Sequence, residues 1–131
     1  MEPATAPGAE PVRVLIADDD PMFVESVEQL LRGDARVHVI GTASNGQDAV
    51  DLACALAPDV TLIDIAMPVL DGIEAARQIR LDRPDACVLI LTGSSVATDV
   101  ERARRAGIAG FLTKDRIGTQ LVGAILEAAR R

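Results

Sequence analysis

Five short runs rich in Val, Ile and Leu, most of them without sustained polar alternation, constrain this chain more than any other feature of its sequence. They span Val12 to Ala17, Arg36 to Thr42, Asp59 to Ile63, Cys87 to Leu91 and Ile108 to Leu112. A strand that is apolar on both faces must be covered on both, as in a parallel sheet wrapped by helices. The stretches between the runs carry helical periodicity, and capping residues mark their starts. Asp20 before Pro21 reads as an N-cap with proline at the first helical position. Ser44 with Gln47 has capping-box spacing, Asp71 with Glu74 is a close variant, and Ser94 or Ser95 can cap the fourth helix. The last helix is predicted from about Gly118 onward, with Leu121, Ile125 and Ala128 along one face. Strand starts 21 to 28 residues apart leave room for a strand, a helix and two tight loops in each unit. The expected class is α/β, a doubly wound five-stranded parallel sheet in the order 2-1-3-4-5 with five helices.

Composition adds bounds. The 131 residues are 49% hydrophobic and 25% charged, enough for one buried core. Residues 1–10 hold prolines, a glycine and little to anchor them, so they are expected to form a disordered tail before a domain over 11–131. No apolar run approaches the ~18 residues of a membrane span, and no secretory pattern opens the chain, so a cytoplasmic protein with no membrane contact is expected. Cys54 and Cys87 sit in apolar stretches at no metal-binding spacing and read as buried thiols. Twenty acidic against 13 basic residues give a net charge of −7, and there is no basic cluster, which argues against direct nucleic-acid binding by this chain.

The chemistry gathers at the ends of the strands. Ligands of an open parallel sheet bind beyond the carboxyl ends of its strands, where the strand order reverses. The first run ends in Asp18-Asp19-Asp20, the third in Asp64, the fourth in Thr92 and the fifth in Lys114. With the second strand at an edge, Asp18, Asp19 and Asp64 meet a hydroxyl and the only lysine of a chain that uses arginine twelve times. Two carboxylates ~4 Å apart at an effective dielectric near 20 repel by about 4 kcal/mol, so the cluster needs a cation. Carboxylate oxygens suit Mg²⁺, or Mn²⁺, which keeps several waters and shares its coordination with phosphate. A metal, an acceptor carboxylate, a lysine and a hydroxyl donor are the parts that phosphoryl transfer requires, and a carboxylate can itself become an aspartyl-phosphate.

Four phrases carry a resemblance. Val-Leu-Ile-Ala-Asp18-Asp19-Asp20-Pro, Leu-Ile-Asp64-Ile-Ala-Met67-Pro68 with Gly72, Leu-Ile-Leu-Thr92-Gly93 and Ala-Gly107-Ile-Ala-Gly-Phe111-Leu-Thr-Lys114 stand in this order. From about residue 12 to 130 the chain resembles the response-regulator receiver domain of two-component signalling, which has a flavodoxin-like fold. The resemblance implies that Asp64 accepts a phosphoryl group from a histidine kinase. It also implies that Asp19, Asp64 and the backbone carbonyl of Ala66 hold Mg²⁺, with Asp18 acting through metal-bound water. Thr92 and Lys114 would contact the phosphoryl oxygens, and Phe111 would be the aromatic residue that follows the movement of Thr92. Phosphorylation would then change the surface of the fourth helix, fifth strand and fifth helix, a surface that, like that of the first and fifth helices, can also hold a homodimer.

Two positions depart from the commonest pattern. Ala66 stands where a larger residue is frequent, which leaves the carbonyl ligand in place and alters water access. Asp115 follows the lysine where proline is frequent, and this wording looks more like receivers joined to a helix-turn-helix output domain of the LuxR/NarL type. Transcription regulation is therefore the expected output. The alternatives are a stand-alone receiver acting through protein contacts and an aspartate-nucleophile phosphohydrolase. The latter pairs its nucleophile with a second Asp two residues on, where this chain has Ala66. Asp20 reads as a cap rather than a ligand, Met67 and Pro68 as loop-shaping residues, and Arg102, Arg104 and Arg105 as a solvated helix face. His38, in the expected edge strand, carries no chemistry.

Overall fold

The computed structural model describes residues 10–93 and 97–130, so the expected caps at Ser94 or Ser95 lie outside the described residues. Strands β1 (Val12–Ala17), β2 (Val37–Ala43), β3 (Val60–Asp64), β4 (Cys87–Thr92) and β5 (Gly110–Thr113) alternate with helices α1 (Pro21–Arg32), α2 (Gly46–Leu56), α3 (Gly72–Asp82), α4 (Ala97–Arg105) and α5 (Ile117–Ala129). A 3₁₀ turn over Lys114–Arg116 joins β5 to α5. All strand pairs are parallel and the order is β2-β1-β3-β4-β5, as expected.

The apolar runs feed two cores by simple alternation. Val14, Ile16, Leu62, Leu89 and Leu91 point to a cluster completed by Val27 and Leu31 of α1 and Leu121 and Ile125 of α5. Leu15, Ala17, Ile63, Val88 and Ile90 point to the other face, against Ala49, Ala53, Ala76, Ile79 and Ala103 of α2, α3 and α4. Each fully buried Val, Leu or Ile contributes about 1.5–3 kcal/mol relative to exposure, which explains why the central strands β3 and β4 are buried almost throughout.

Local details differ from the sequence reading at several places. The cap of α2 is Asn45, not Ser44: Asn45 is extended (φ −154°), its Oδ1 accepts the Asp48 N–H at 2.8 Å, and its Nδ2 donates to the Asp48 carboxylate at 3.2 Å. Strand β2 runs on to Ala43, which leaves Ser44 one residue short of the helix entry. At α3 only half of the expected box forms, since Asp71 Oδ1 accepts the Glu74 N–H at 2.9 Å while the Glu74 carboxylate pairs with Arg77. Cys54 is exposed and Cys87 half-buried, both as free thiols rather than the buried ones expected. Helix α2 is apolar on most sides, so its sequence hides which face turns inward; the buried residues are Gly46, Ala49, Val50 and Ala53. Strand β5 starts two residues late because the Ile108 N–H still closes the end of α4 on the Ala103 carbonyl, at 3.4 Å.

Candidate functional site

The carboxyl ends of β1, β3, β4 and β5 bring Asp18, Asp64, Thr92 and Lys114 to one end of the sheet. Asp18, just past β1, is 3% exposed and is held on three sides. Its N–H donates to the Ala43 carbonyl at 3.0 Å, its Oδ1 accepts the Asp20 N–H at 2.9 Å, and its Oδ2 accepts from Lys114 Nζ at 2.8 Å. Asp64 closes β3, is 7% exposed, and places Oδ1 3.4 Å from the same ammonium. Asp19 is exposed, yet one oxygen each from Asp18, Asp19 and Asp64 lies within 4.8 Å of the others. Thr92 is buried at the end of β4, in register with Thr113 immediately before Lys114. Phe111, also on β5, is half-buried and packs on the α2, α3 and α4 core.

Three carboxylates, two of them buried, face one ammonium. Burial, then the charge of Asp18, pushes the Asp64 carboxyl up against the opposing pull of Lys114. For Lys114, burial works to lower the pKa, but the hydrogen bond to Asp18 and the charges of Asp64 and Asp18 outweigh it, and the net shift is upward. An acid whose folded-state pKa exceeds its unfolded value costs no stability below the unfolded pKa and destabilises as pH rises through the folded one. In the absence of metal, Asp64→Asn is therefore expected to raise the melting temperature at neutral pH, by about 3 °C if the relief is about 1 kcal/mol. It should also flatten the stability profile between acidic and neutral pH. Differential scanning calorimetry in a chelator reads both, and an unchanged or lowered melting point would contradict this electrostatic picture.

The loop between β3 and α3 is seated by close backbone contacts. A Cβ at Gly72 would fall within contact distance of the Asp64 carbonyl oxygen and 2.6 Å from Ile63 Cγ2, so the first turn of α3 can lie against the end of β3 only with glycine there. Gly46 does the same for α2, where a Cβ would meet the Leu70 backbone, its carbonyl carbon at 2.7 Å. Between them the loop turns tightly, with the Gly72 and Met67 N–H groups both on the Ile65 carbonyl, at 2.8 and 3.1 Å, and the Leu70 N–H on the Pro68 carbonyl at 2.8 Å. Val69 at its tip has φ 72°, a conformation that costs a β-branched residue of order 1–3 kcal/mol, and is 80% exposed. Ala66 is exposed on this loop, two residues after Asp64.

Asp20 serves as the cap of α1, with Oδ1 accepting from the Met22 and Phe23 N–H groups at 3.0 and 3.4 Å. Asp20→Ala should lower stability by about 1 kcal/mol in denaturant titrations and leave Mg²⁺ affinity within about twofold. A large loss of Mg²⁺ affinity would make it a ligand instead.

Two contacts escape the sequence reading. The Phe23 ring lies over Lys114, with Nζ 4.1 Å from its centroid. A lone aromatic in the first turn of a helix beside the acidic loop is the signal that points to it. Arg102 reaches from α4 to the Asp71 carboxylate at 3.0 Å, as well as to Asp99 at 3.6 Å, so it is not merely solvated, whereas Arg104 and Arg105 pair with Glu101 on their own helix. The Asp71 carboxyl is held below its ordinary value: burial opposes this but is outweighed by the Glu74 N–H and Arg102. His38 is exposed on the edge strand β2, and no helix among the described residues is long and apolar enough to cross a membrane.

Comparison with known proteins agrees with this fold. The family model of the response regulator receiver domain matches residues 14–126. NarL of Mycobacterium tuberculosis is 38% identical over 95% of this chain and 57% of its own length. The nitrate/nitrite response regulator protein NarL of Escherichia coli is 34% identical over 92% of this chain and 56% of its own length. The chain thus spans little more than half of these relatives. The solved receiver domain of the M. tuberculosis NarL superposes with a TM-score of 0.88 at 38% identity, covering 92% of this chain and 98% of that one.

Proposed function

Because this chain belongs to the response regulator receiver domain family, we propose that residues 11–131 form a phosphorylation-driven switch in which Asp64 accepts a phosphoryl group from the phosphohistidine of a histidine kinase. One observation carries this reading: Asp18, Asp19, Asp64 and Lys114, from three separate strand ends, converge at one end of the sheet. A carboxylate oxygen of Asp64 forms the new bond to phosphorus while the P–N bond to the imidazole breaks; the nitrogen keeps the electron pair and takes up a proton.

Oxygen donors of this kind fit a hard divalent cation, Mg²⁺ or Mn²⁺, with Asp19, Asp64 and the Ala66 carbonyl as ligands and Asp18 acting through water. The cation, when bound, neutralises charge on the transferring group. Lys114, already directed at Asp64, takes the charge of a phosphoryl oxygen, and the Thr92 hydroxyl donates to another. Movement of Thr92 toward that oxygen is followed by Phe111, which biases the surface of α4, β5 and α5 between two states. The kinship with NarL proteins supports a transcriptional output exercised through a DNA-binding domain, in the cytoplasm, with homodimerisation through α4, β5 and α5 or through α1 and α5. Self-phosphorylation and slow autodephosphorylation are its only chemistry; it acts on no metabolite.

The test is to incubate the protein with acetyl phosphate, with Mg²⁺ or with a chelator, and to record intact mass. One added phosphoryl group that requires the metal is expected. No adduct on the native protein would overturn the reading.

A further inference from the structure

Lys114 has an aromatic neighbour besides its two carboxylates. Its ammonium is enclosed by Asp18 Oδ2 at 2.8 Å, Asp64 Oδ1 at 3.4 Å and the Phe23 ring, whose centroid is 4.1 Å away. The side chain of Lys114 remains 25% exposed, so the ring replaces part of what would otherwise be water. The ring is fixed in turn. Phe23 packs on the α1 and α5 core, and its own N–H is taken by Asp20 Oδ1, while the Asp20 N–H is bound by Asp18. The acidic loop, the first turn of α1 and the lysine thus form one connected unit.

We propose that Phe23 is a positioning residue for Lys114: its aromatic face holds the ammonium toward Asp18 and Asp64, and so sets how fast Asp64 is phosphorylated. The inference rests on the phosphoacceptor reading of Asp64. An aromatic face attracts a cation through the ring quadrupole, which a leucine of similar apolar character lacks. A four-carbon stem with free rotamers has other places to put its charge, and the ring removes some of them. Phe23 touches neither phosphorus nor metal in this scheme and acts only through the lysine.

Two measurements test it. In NMR spectra of the native protein the Lys114 Cε protons should be shifted upfield by the ring current, and Phe23→Leu should abolish that shift. With acetyl phosphate and Mg²⁺, where the P–O bond to Asp64 forms as the P–O bond to acetate breaks, Phe23→Leu should phosphorylate about 5-fold more slowly, and Phe23→Tyr within about 2-fold of native. In a Lys114→Ala background the same Phe23→Leu change should have little further effect, which a purely structural role would not produce. Equal slowing in both backgrounds, a native rate in Phe23→Leu, or an absent ring-current shift would overturn the proposal. If the native protein takes up no phosphoryl group, the phosphoacceptor reading fails by itself, and a normal ring-current shift would then show that the contact exists without that purpose.

Discussion

Lys114→Arg is expected to fold normally and to lose at least about tenfold in its rate of phosphorylation-driven switching, the equivalent of about 1.4 kcal/mol. The reason is geometric. A single ammonium nitrogen fits between the Asp18 and Asp64 carboxylates under the Phe23 ring, at 2.8, 3.4 and 4.1 Å. A planar guanidinium satisfies carboxylates by a two-pronged approach and needs width that this slot lacks. It would pair with Asp18 or Asp64 side-on and leave the phosphoryl oxygen without its cation. Lys114→Ala should be slower still, because the buried Asp18 then loses its counter-charge. Rates from intact-mass time courses with acetyl phosphate read both variants, with melting temperatures as the control for folding. A native rate in Lys114→Arg would count against the role given to this lysine.

Gly72→Ala is expected to destabilise the fold by about 3 kcal/mol and to depress phosphorylation with it. The added methyl would collide with the Asp64 carbonyl oxygen and Ile63 Cγ2. Neither is the free end of a flexible side chain: one is backbone and the other belongs to a fully buried isoleucine at the sheet centre. Relief requires α3 to back away from β3, which also unseats the loop that carries Ala66. The helix-propensity gain of alanine, at most about 1 kcal/mol, does not offset this at a first helical position. Urea denaturation measures the loss. A variant as stable as the native protein would mean that α3 is less tightly apposed to Asp64 than the structure shows.

The meeting of Asp18, Asp64, Thr92 and Lys114 at one end of the sheet was legible in the sequence because each residue ends or closely follows an apolar run, whereas the strand order was expected only as the common one for such sheets. In a parallel sheet, the carboxyl ends of the strands lie at one end of the sheet whatever the loops do. What escaped follows from the reach of sequence patterns. Ser44 and Asn45 are both good caps, and only the end of β2 at Ala43 decides between them. Strand β2 pairs Val39 with Val14 and Gly41 with Leu15, so Ile40 is an extra residue that no alternation reveals. Cys54 looked buried because α2 is apolar on most sides, and its inward face is fixed by contact with the sheet. Phe23 over Lys114 and Arg102 on Asp71 join residues 91 and 31 positions apart, pairings set by how α1 and α4 lie on the sheet rather than by any local spacing. Val69, with φ 72°, gives no sign of a left-handed turn, since valine is among the residues least suited to one.

Mapping the phosphoryl group to a residue decides whether this end of the sheet is a phosphoacceptor site. Protein phosphorylated by acetyl phosphate in Mg²⁺ would be reduced with borohydride, which converts an acyl phosphate to the corresponding alcohol, and then digested and sequenced by mass spectrometry. The change is expected at Asp64 alone, in the peptide that ends β3, and should be absent from Asp64→Ala. Modification at another residue, or an adduct that persists in Asp64→Ala, would contradict the assignment.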